Sequence, residues 1–415
     1  MTSDVILDDL RKVCDESARP ADDTDVVADV SARYVASPAT TEEVSEVLRL
    51  ATQHDLRVVA RGAGTKLGWG AAPTGLDLIL DTTRISGVVE HAAGDLVVVV
   101  LAGTPVENLQ ATLADSGQQL ALDVPEDGAT VGGAVATNTS GPRRMLYGTL
   151  RDLLIGVTFV RADGVVAKAG GKVVKNVAGY DFGKLLIGSY GTLGLVTQAA
   201  FRLHPLPMAR SVLSAEFRDA EEAGRVVAEM VGSQVVPSAV EVDQPAEGPI
   251  TVAVLIEGTE DGVSGRAALT AQMLGTGAAD GEAPPWFGRY PFDASEEVGL
   301  KLTTEIAGLP KLLTAVRHAA DRHGVPIGVR GSATGVLYAA LRANTEPESV
   351  AAVVEDLRGS ADSYAGSVVV LTAPAAVRDA IDMWGPVPGL DLMRRLKDQL
   401  DPDHRLAPGR FVGGI

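Results

Sequence analysis

Residues 61–70 read "RGAGTKLGWG", and the meaning of this stretch decides the fold. Glycines at this density, directly after a β-branched run, let a backbone approach a phosphate with no Cβ in the way. Gly62 and Gly64 fit the first two glycines of a dinucleotide-binding G-x-G-x-x-G fingerprint, and Asp81 stands near the place of a ribose-binding acid. The third glycine is one place late, at Gly68. More decisively, "GWGAAPTGLDLIL" (68–80) holds a proline and several glycines and then runs into a strand. No helix N-terminus follows to meet a pyrophosphate, as the Rossmann arrangement requires. Lys66 is not in a G-K-[ST] setting, which excludes a Walker loop. Two readings remain: a surface turn between strands, or a nest of consecutive backbone N–H groups for an anion.

The flanking sequence is a β-α-β start. Thr40 and Glu43 form a capping box, and Val44, Val47, Leu48 and Ala51 fall on one helical face between the strands "YVAS" (34–37) and "LRVVA" (56–60). "GLDLILDTT" (75–83) and "GVVEHAAGDLVVVVLAG" (87–103) are strand-like, the second with a turn near Gly94–Asp95. Thr104-Pro105-Val106-Glu107 predicts another helix start, with threonine as cap and proline at the first position. Two later clusters repeat the glycine-rich character: "EDGATVGGAVATNTSG" (126–141) and "GSYGTLGLVT" (188–197). Their small residues leave room for a flat or phosphate-bearing ligand, and three such clusters in order argue for a nucleotide site over chance loops.

The bulk composition narrows the partners. The chain has 415 residues, 46% of them apolar, and a formal net charge of −18. That charge excludes nucleic acid and anionic membrane as general partners, but not a small anion in a local basic pocket. Cys14 is the sole cysteine, so the chain can hold no intrachain disulfide, no cysteine-ligated zinc and no iron–sulfur cluster; no metal site is expected. The first residues, "MTSDVILDDLRKVCDES", are charged throughout and lack the apolar core of a signal peptide. No uncharged apolar run approaches the ~18 residues of a membrane helix. A cytoplasmic location without membrane insertion is expected. "FRLHPLPMAR" (201–210) ends the glycine-dense part, and 209–395 alternates helical runs with strands such as "ITVAVLIEG" (250–258) and "GSVVVLTAP" (366–374). "DLMRRLKDQL" (391–400) is an amphipathic helix stopped by Asp401-Pro402.

"RGAGTKLGWG", "ATVGGAVATNTSGPRRMLYGTLRDLLIGVTFVRADG" (129–164), "KVVKNVAGYDFGKLLIGSYGTLGLVT" (172–197) and "DPDHRLAPGR" (401–410) resemble the FAD-binding domain of the vanillyl-alcohol oxidase/p-cresol methylhydroxylase superfamily. Within it, the likeness is closest to the FAD-binding subunit of glycolate oxidase. The resemblance implies an α+β protein: a p-cresol-methylhydroxylase-type (PCMH-type) FAD-binding domain of two α/β subdomains, with an α+β cap inserted before a C-terminal return. The implied boundaries are an N-terminal helical extension at 1–29, the FAD-binding domain at 30–208 plus 396–415, and the cap, or substrate domain, at 209–395.

A noncovalent FAD in an extended pose is implied as the cofactor, because neither histidine nor cysteine occurs in the opening loop or in 126–151. Its pyrophosphate would meet the backbone N–H groups of Gly62, Ala63, Gly64, Thr65, Lys66 and Leu67 and the small residues around Gly132 and Gly133, with Arg61, Gly68 and Thr130 as further implied FAD contacts. Pro125, Thr137, Asn138, Gly141, Tyr147, Gly148 and Arg410 are further implied contacts, and Leu195 and Val196 would edge the isoalloxazine. Two departures stand out. Related hydroxy-acid dehydrogenases read G-S-E-G-T-L-G where this chain has Tyr190, and they carry an H-x-G-D-G-N-x-H segment in the cap. This chain has six histidines and no such pair; His204, in "FRLHPLP", reads as structural.

Dehydrogenating a 2-hydroxy acid takes a hydride acceptor, a base for the hydroxyl proton and a cation for the carboxylate. Arg143, Arg144, Lys175 and Arg330 are candidate cations, since arginine's fork suits a carboxylate; a solvated or phosphate-pairing charge is the competing reading for each. Tyr147, Tyr180 and His323 are candidate bases by type, and Tyr180 could equally be a packing residue. Lacking metal–sulfur ligands, the chain needs a partner or a diffusing acceptor for its electrons. The resemblance implies a small anionic 2-hydroxy-acid substrate, a second flavoprotein subunit and an iron–sulfur subunit. The alternatives are a self-sufficient flavoprotein of the same fold on another substrate, and an FAD-binding structural subunit whose flavin never turns over.

Overall fold

The computed structural model describes residues 4–171, 181–275, 279–293 and 297–415. The chain forms two compact units: Met1–Thr139, Thr149–Leu206 and Pro386–Ile415 make the first, Ser140–Gly148 and Pro207–Gly385 the second. Residues 140–148 thus belong with the second unit, and the helix Val5–Cys14 is built into the first, where Leu7, Leu10 and Cys14 are buried in its core.

In the first unit the helix Thr41–Gln53 starts where the capping box places it. The Thr40 hydroxyl accepts from the Glu43 amide at 3.1 Å, and the Glu43 carboxylate accepts from the Ala39 amide at 2.7 Å. Its apolar stripe Val44, Val47, Leu48 and Ala51 packs into a core shared with Leu78, Leu80 and Val58. These come from a four-stranded sheet ordered Ala18–Pro20, Tyr34–Ala36, Leu78–Asp81, Val58–Arg61, whose last two pairings are parallel. Arg61, the last residue of a strand, therefore delivers the chain into the glycine loop. A second, antiparallel sheet has the order Val166–Gly170, Leu154–Val160, Leu195–Arg202, Val97–Leu101, Val88–Ala92. Val98 and Val100 point to one of its faces and pack with Leu109 and Leu113 of the helix Val106–Ala114. That helix begins one residue later than the sequence predicts. Pro105 takes the cap position, because the Thr104 hydroxyl is committed to the Gly87 amide at 2.9 Å.

The second unit is one antiparallel sheet of eight strands, ordered Ala279–Gly281, Ala209–Phe217, Ile250–Gly258, Ala239–Gln244, Gly328–Ser332, Val336–Arg342, Glu297–Thr303, Ser367–Thr372. Alternate residues such as Val252, Val254, Val298, Leu300, Leu337 and Ala339 are buried against the helices Ala220–Val231, Leu309–His323 and Pro347–Ala361. These three helices cover that face, and the other face carries polar residues such as Asp243, Glu257, Lys301 and Arg330. The second unit is thus of the α+β kind.

Candidate cofactor site and polar sheet face

The glycine loop and the second glycine cluster meet in the first unit. Together they line a cleft with Gly62, Ala63, Gly64, Thr65, Lys66 and Leu67 on one side and Thr130, Gly133, Ala134, Ala136 and Thr137 on another. Tyr190, from the third cluster, and Arg410 complete the lining. The walls touch so closely that a Cβ on Gly62 would stand 2.2 Å from the Thr130 hydroxyl oxygen. That hydroxyl caps the short helix Val131–Thr137 by accepting from the Gly133 amide at 3.2 Å. Lys66 reaches across the loop: its ammonium donates to Glu126 Oε2 at 2.9 Å and Thr139 Oγ1 at 2.6 Å, and lies 5.0 Å from the centre of the Trp69 ring. Burial pushes the Lys66 pKa down against the opposing pull of Glu126.

Two devices hold the loop. At its entry the Arg61 guanidinium donates to Asp81 Oδ2 at 2.9 Å and Asp25 Oδ1 at 2.8 Å, while Arg19 donates to the other Asp25 oxygen at 2.6 Å. At its exit the Arg410 guanidinium donates to the carbonyls of Leu67 at 2.7 Å and Trp69 at 2.6 Å. The tail that carries Arg410 is anchored by a buried ion pair. Lys397, with no side-chain exposure, donates to Asp401 at 2.6 Å and to the carbonyls of Thr192 and Leu406, both at 2.8 Å. The Tyr190 and Phe411 rings then meet at 5.7 Å.

The Asp25 knot gives a pH prediction. Burial works to raise its pKa, but the Arg19 and Arg61 bonds overcome this and hold it at about 2, below the ordinary 3.8. A depressed folded-state pKa stabilises the fold above the unfolded value, and that stabilisation disappears as pH falls through the folded value. Asp25→Asn is expected to remove roughly 2 kcal/mol at pH 7 and almost nothing at pH 2. Urea unfolding at both pH values checks this; an equal loss at each would show that the carboxylate charge is not the source.

In the second unit, strand register sets Lys301 opposite Tyr338, Tyr338 opposite Arg330, and Arg330 opposite Asp243. Directly paired residues share a face, and this is the face away from the helices. Arg330 donates to Asp243 at 2.9 Å, and burial pushes the Asp243 pKa up against that pull. Arg143 lies 3.9 Å from Glu257, and the Tyr147 hydroxyl donates to Glu257 at 3.5 Å. Arg144 donates to the carbonyls of Ser140 and Gly141. Among the described residues, neither Arg144 nor Lys301 has a carboxylate at ion-pair distance. Burial first, and the Arg144 charge second, push the Lys301 pKa down to about 8.

Of the expected cofactor contacts, Gly62 to Leu67, Thr130, Gly133, Thr137 and Arg410 line the cleft. Gly132 packs behind it, its Cβ position 2.9 Å from the Ala102 methyl. Arg61 spends its side chain on the two aspartates, Gly68, Pro125 and Asn138 are not among the lining residues, and Leu195 is buried in the core. Val196 packs in the first unit, whereas Gly141, Tyr147 and Gly148 belong to the second. Of the expected catalytic residues, Arg143 and Arg330 lie on the polar sheet face with acidic partners, and Lys175 and Tyr180 fall outside the described residues. His323 pairs with Asp356 at 3.3 Å between helices of the second unit. Sequence reading missed Lys301, whose neighbours in "EVGLKLT" carry no motif; only the alternation of that strand marks it. It missed Glu126 and Asp25 as well, since their partners are 60 and 36 residues away.

The comparisons with known proteins identify the chain as an FAD-dependent oxidoreductase. Residues 32–170 match the FAD binding domain family, and 382–411 match the C-terminal domain of FAD linked oxidases. An uncharacterized FAD-linked oxidoreductase of Mycobacterium tuberculosis is 28% identical over 92% of this chain and 91% of its own. The glycolate oxidase subunit GlcE of Escherichia coli is 35% identical over 46% of this chain and 54% of its own. The crystal structure of p-cresol methylhydroxylase with substrate bound superposes with a TM-score of 0.76 at 15% identity, covering 98% of this chain and 96% of that one, a likeness of fold. Residues 32–170 and 382–411 thus carry the two FAD-linked domains, and the chain shares the fold of p-cresol methylhydroxylase. Its cleft fits the cofactor: most of its lining is glycine, alanine and threonine, which leave room for a bulky ligand, and no histidine or cysteine is among the lining residues.

Proposed function

We propose that this FAD-dependent oxidoreductase acts on a small 2-hydroxy acid as the FAD-binding subunit of a glycolate-oxidase-type complex. The observation that carries this reading is the pair of cations, Arg144 and Lys301, without carboxylate partners among the described residues, on a face where Arg143 and Arg330 have theirs. An uncompensated, half-buried lysine is costly unless an anion meets it. When bound, FAD supplies the hydride acceptor. The loop Gly62–Leu67 would hold its pyrophosphate by backbone N–H groups, and Lys301 with Arg144 would hold the substrate carboxylate.

The strands of the sheet contain no histidine to take the hydroxyl proton, which favours a subunit working with partners over a self-sufficient enzyme. Anaerobic titration with glycolate and D-lactate tests it. Bleaching of this chain's flavin only in the presence of a second flavoprotein and an iron–sulfur partner is expected. Rapid bleaching of the chain alone would support self-sufficient action instead, and no bleaching within the complex would leave a structural flavin.

Lys301 also predicts a pH dependence. With its pKa lowered to about 8, the ammonium loses its charge as pH rises through 8. The KM for the 2-hydroxy acid is therefore expected to rise about tenfold per pH unit above 8, and Lys301→Met to raise it at pH 7 and flatten that profile. A Met variant with an unchanged profile would remove Lys301 from substrate binding.

A further inference from the structure

Tyr190 stands where related dehydrogenases carry a glutamate, and its geometry is unusual. Its φ is +55°, in the left-handed region that disfavours residues bearing a Cβ, although glycine at 188 and 191 adopts the same region on either side. The chain thus keeps a large aromatic residue in a place where glycine would be relaxed. Tyr190 is half-buried and lines the cofactor cleft, and its ring packs against that of Phe411. The amide beneath it is fixed by donation to the Ala136 carbonyl at 2.9 Å, on the second glycine cluster. A tilted aromatic pair at a cleft walled largely by glycine, alanine and threonine is suited to one class of ligand surface: a flat heteroaromatic ring.

We infer that the Tyr190 ring is a stacking face for one of the two flat rings of the bound dinucleotide, with Phe411 as its support. The strained backbone at 190 then serves ligand contact and not the fold, and the tyrosine makes a contact that a glutamate there could not. Phenolic oxygen plays no part in such a contact, so phenylalanine should replace it and an aliphatic residue of similar bulk should not.

The test uses the full chain stripped of flavin and titrated with FAD, FMN and ADP, following flavin fluorescence directly or by displacement. Tyr190→Leu is expected to weaken FAD about tenfold, the worth of one ring stacked on an aromatic side chain. Tyr190→Phe should stay within twofold of the parent. A matching loss for ADP assigns the adenine, and a matching loss for FMN the isoalloxazine. Tyr190→Gly separates ligand contact from scaffolding: it should weaken FAD as the leucine variant does, while the melting temperature of the flavin-free chain stays level or rises. The inference is overturned if the leucine variant binds FAD within twofold of the parent, or if phenylalanine loses as much as leucine.

Discussion

Lys397→Met is expected to destabilise the chain by about 3–5 kcal/mol, the usual consequence of removing one partner from a fully buried ion pair. Neither Lys397 nor Asp401 has any side-chain exposure. The substitution would leave the Asp401 carboxylate with only the amides of Arg405 at 3.0 Å and Leu406 at 2.7 Å, and would orphan the carbonyls of Thr192 and Leu406. Because these partners lie on the third glycine cluster and on the tail, the damage should extend to the cofactor cleft. Removing both charges, as Lys397→Met with Asp401→Asn, should recover part of the loss, since no uncompensated charge remains. Urea unfolding of the two variants measures both effects. A loss below about 1 kcal/mol for the single variant would mean that the tail is anchored elsewhere.

Gly62→Ala is expected to weaken FAD by about tenfold to a hundredfold with the fold intact. A Cβ there cannot coexist with the Thr130 hydroxyl 2.2 Å away. Either the hydroxyl leaves the Gly133 amide, losing a helix cap worth about 1 kcal/mol, or the loop moves back from the cleft. Moving back would forfeit one or more N–H bonds to a charged phosphate, each worth about 1.5–3 kcal/mol. Gly133→Ala is the control: its Cβ would stand 3.2 Å from the same oxygen, a contact that a shift of a few tenths of an ångström relieves. The control should bind FAD more tightly than Gly62→Ala. Equal affinities for the two variants, measured by flavin fluorescence, would show that the close approach at Gly62 is not what shapes the site.

Much of this was legible in the sequence because the information is local. The capping box at Thr40 and Glu43, the alternation in the valine-rich strands and the strand after "RGAGTKLGWG" each depend on residues a few places apart. Those signals located the strands, excluded a Rossmann loop and gathered the glycine clusters into one site. What stayed illegible is what long-range pairing decides. Arg61 reads as a cofactor contact, but Asp25 and Asp81 claim its guanidinium; Arg143 and Arg330 read as candidate cations for a carboxylate, but Glu257 and Asp243 already face them. Lys301 drew no attention because its significance lies in what it lacks, a carboxylate partner, and only folded neighbours reveal that.

The Arg410 clasp has a consequence for how the protein comes to exist. The guanidinium that ties the loop stands 343 residues beyond Leu67 in the chain. At a translation rate of about 5–20 residues per second, the ribosome needs roughly 20–70 s to make the intervening sequence. Through that interval the carbonyls of Leu67 and Trp69 have no Arg410 guanidinium to accept from. The clasp on the loop can close only after Arg410 has been made, so the tail is a final stitch on the glycine loop.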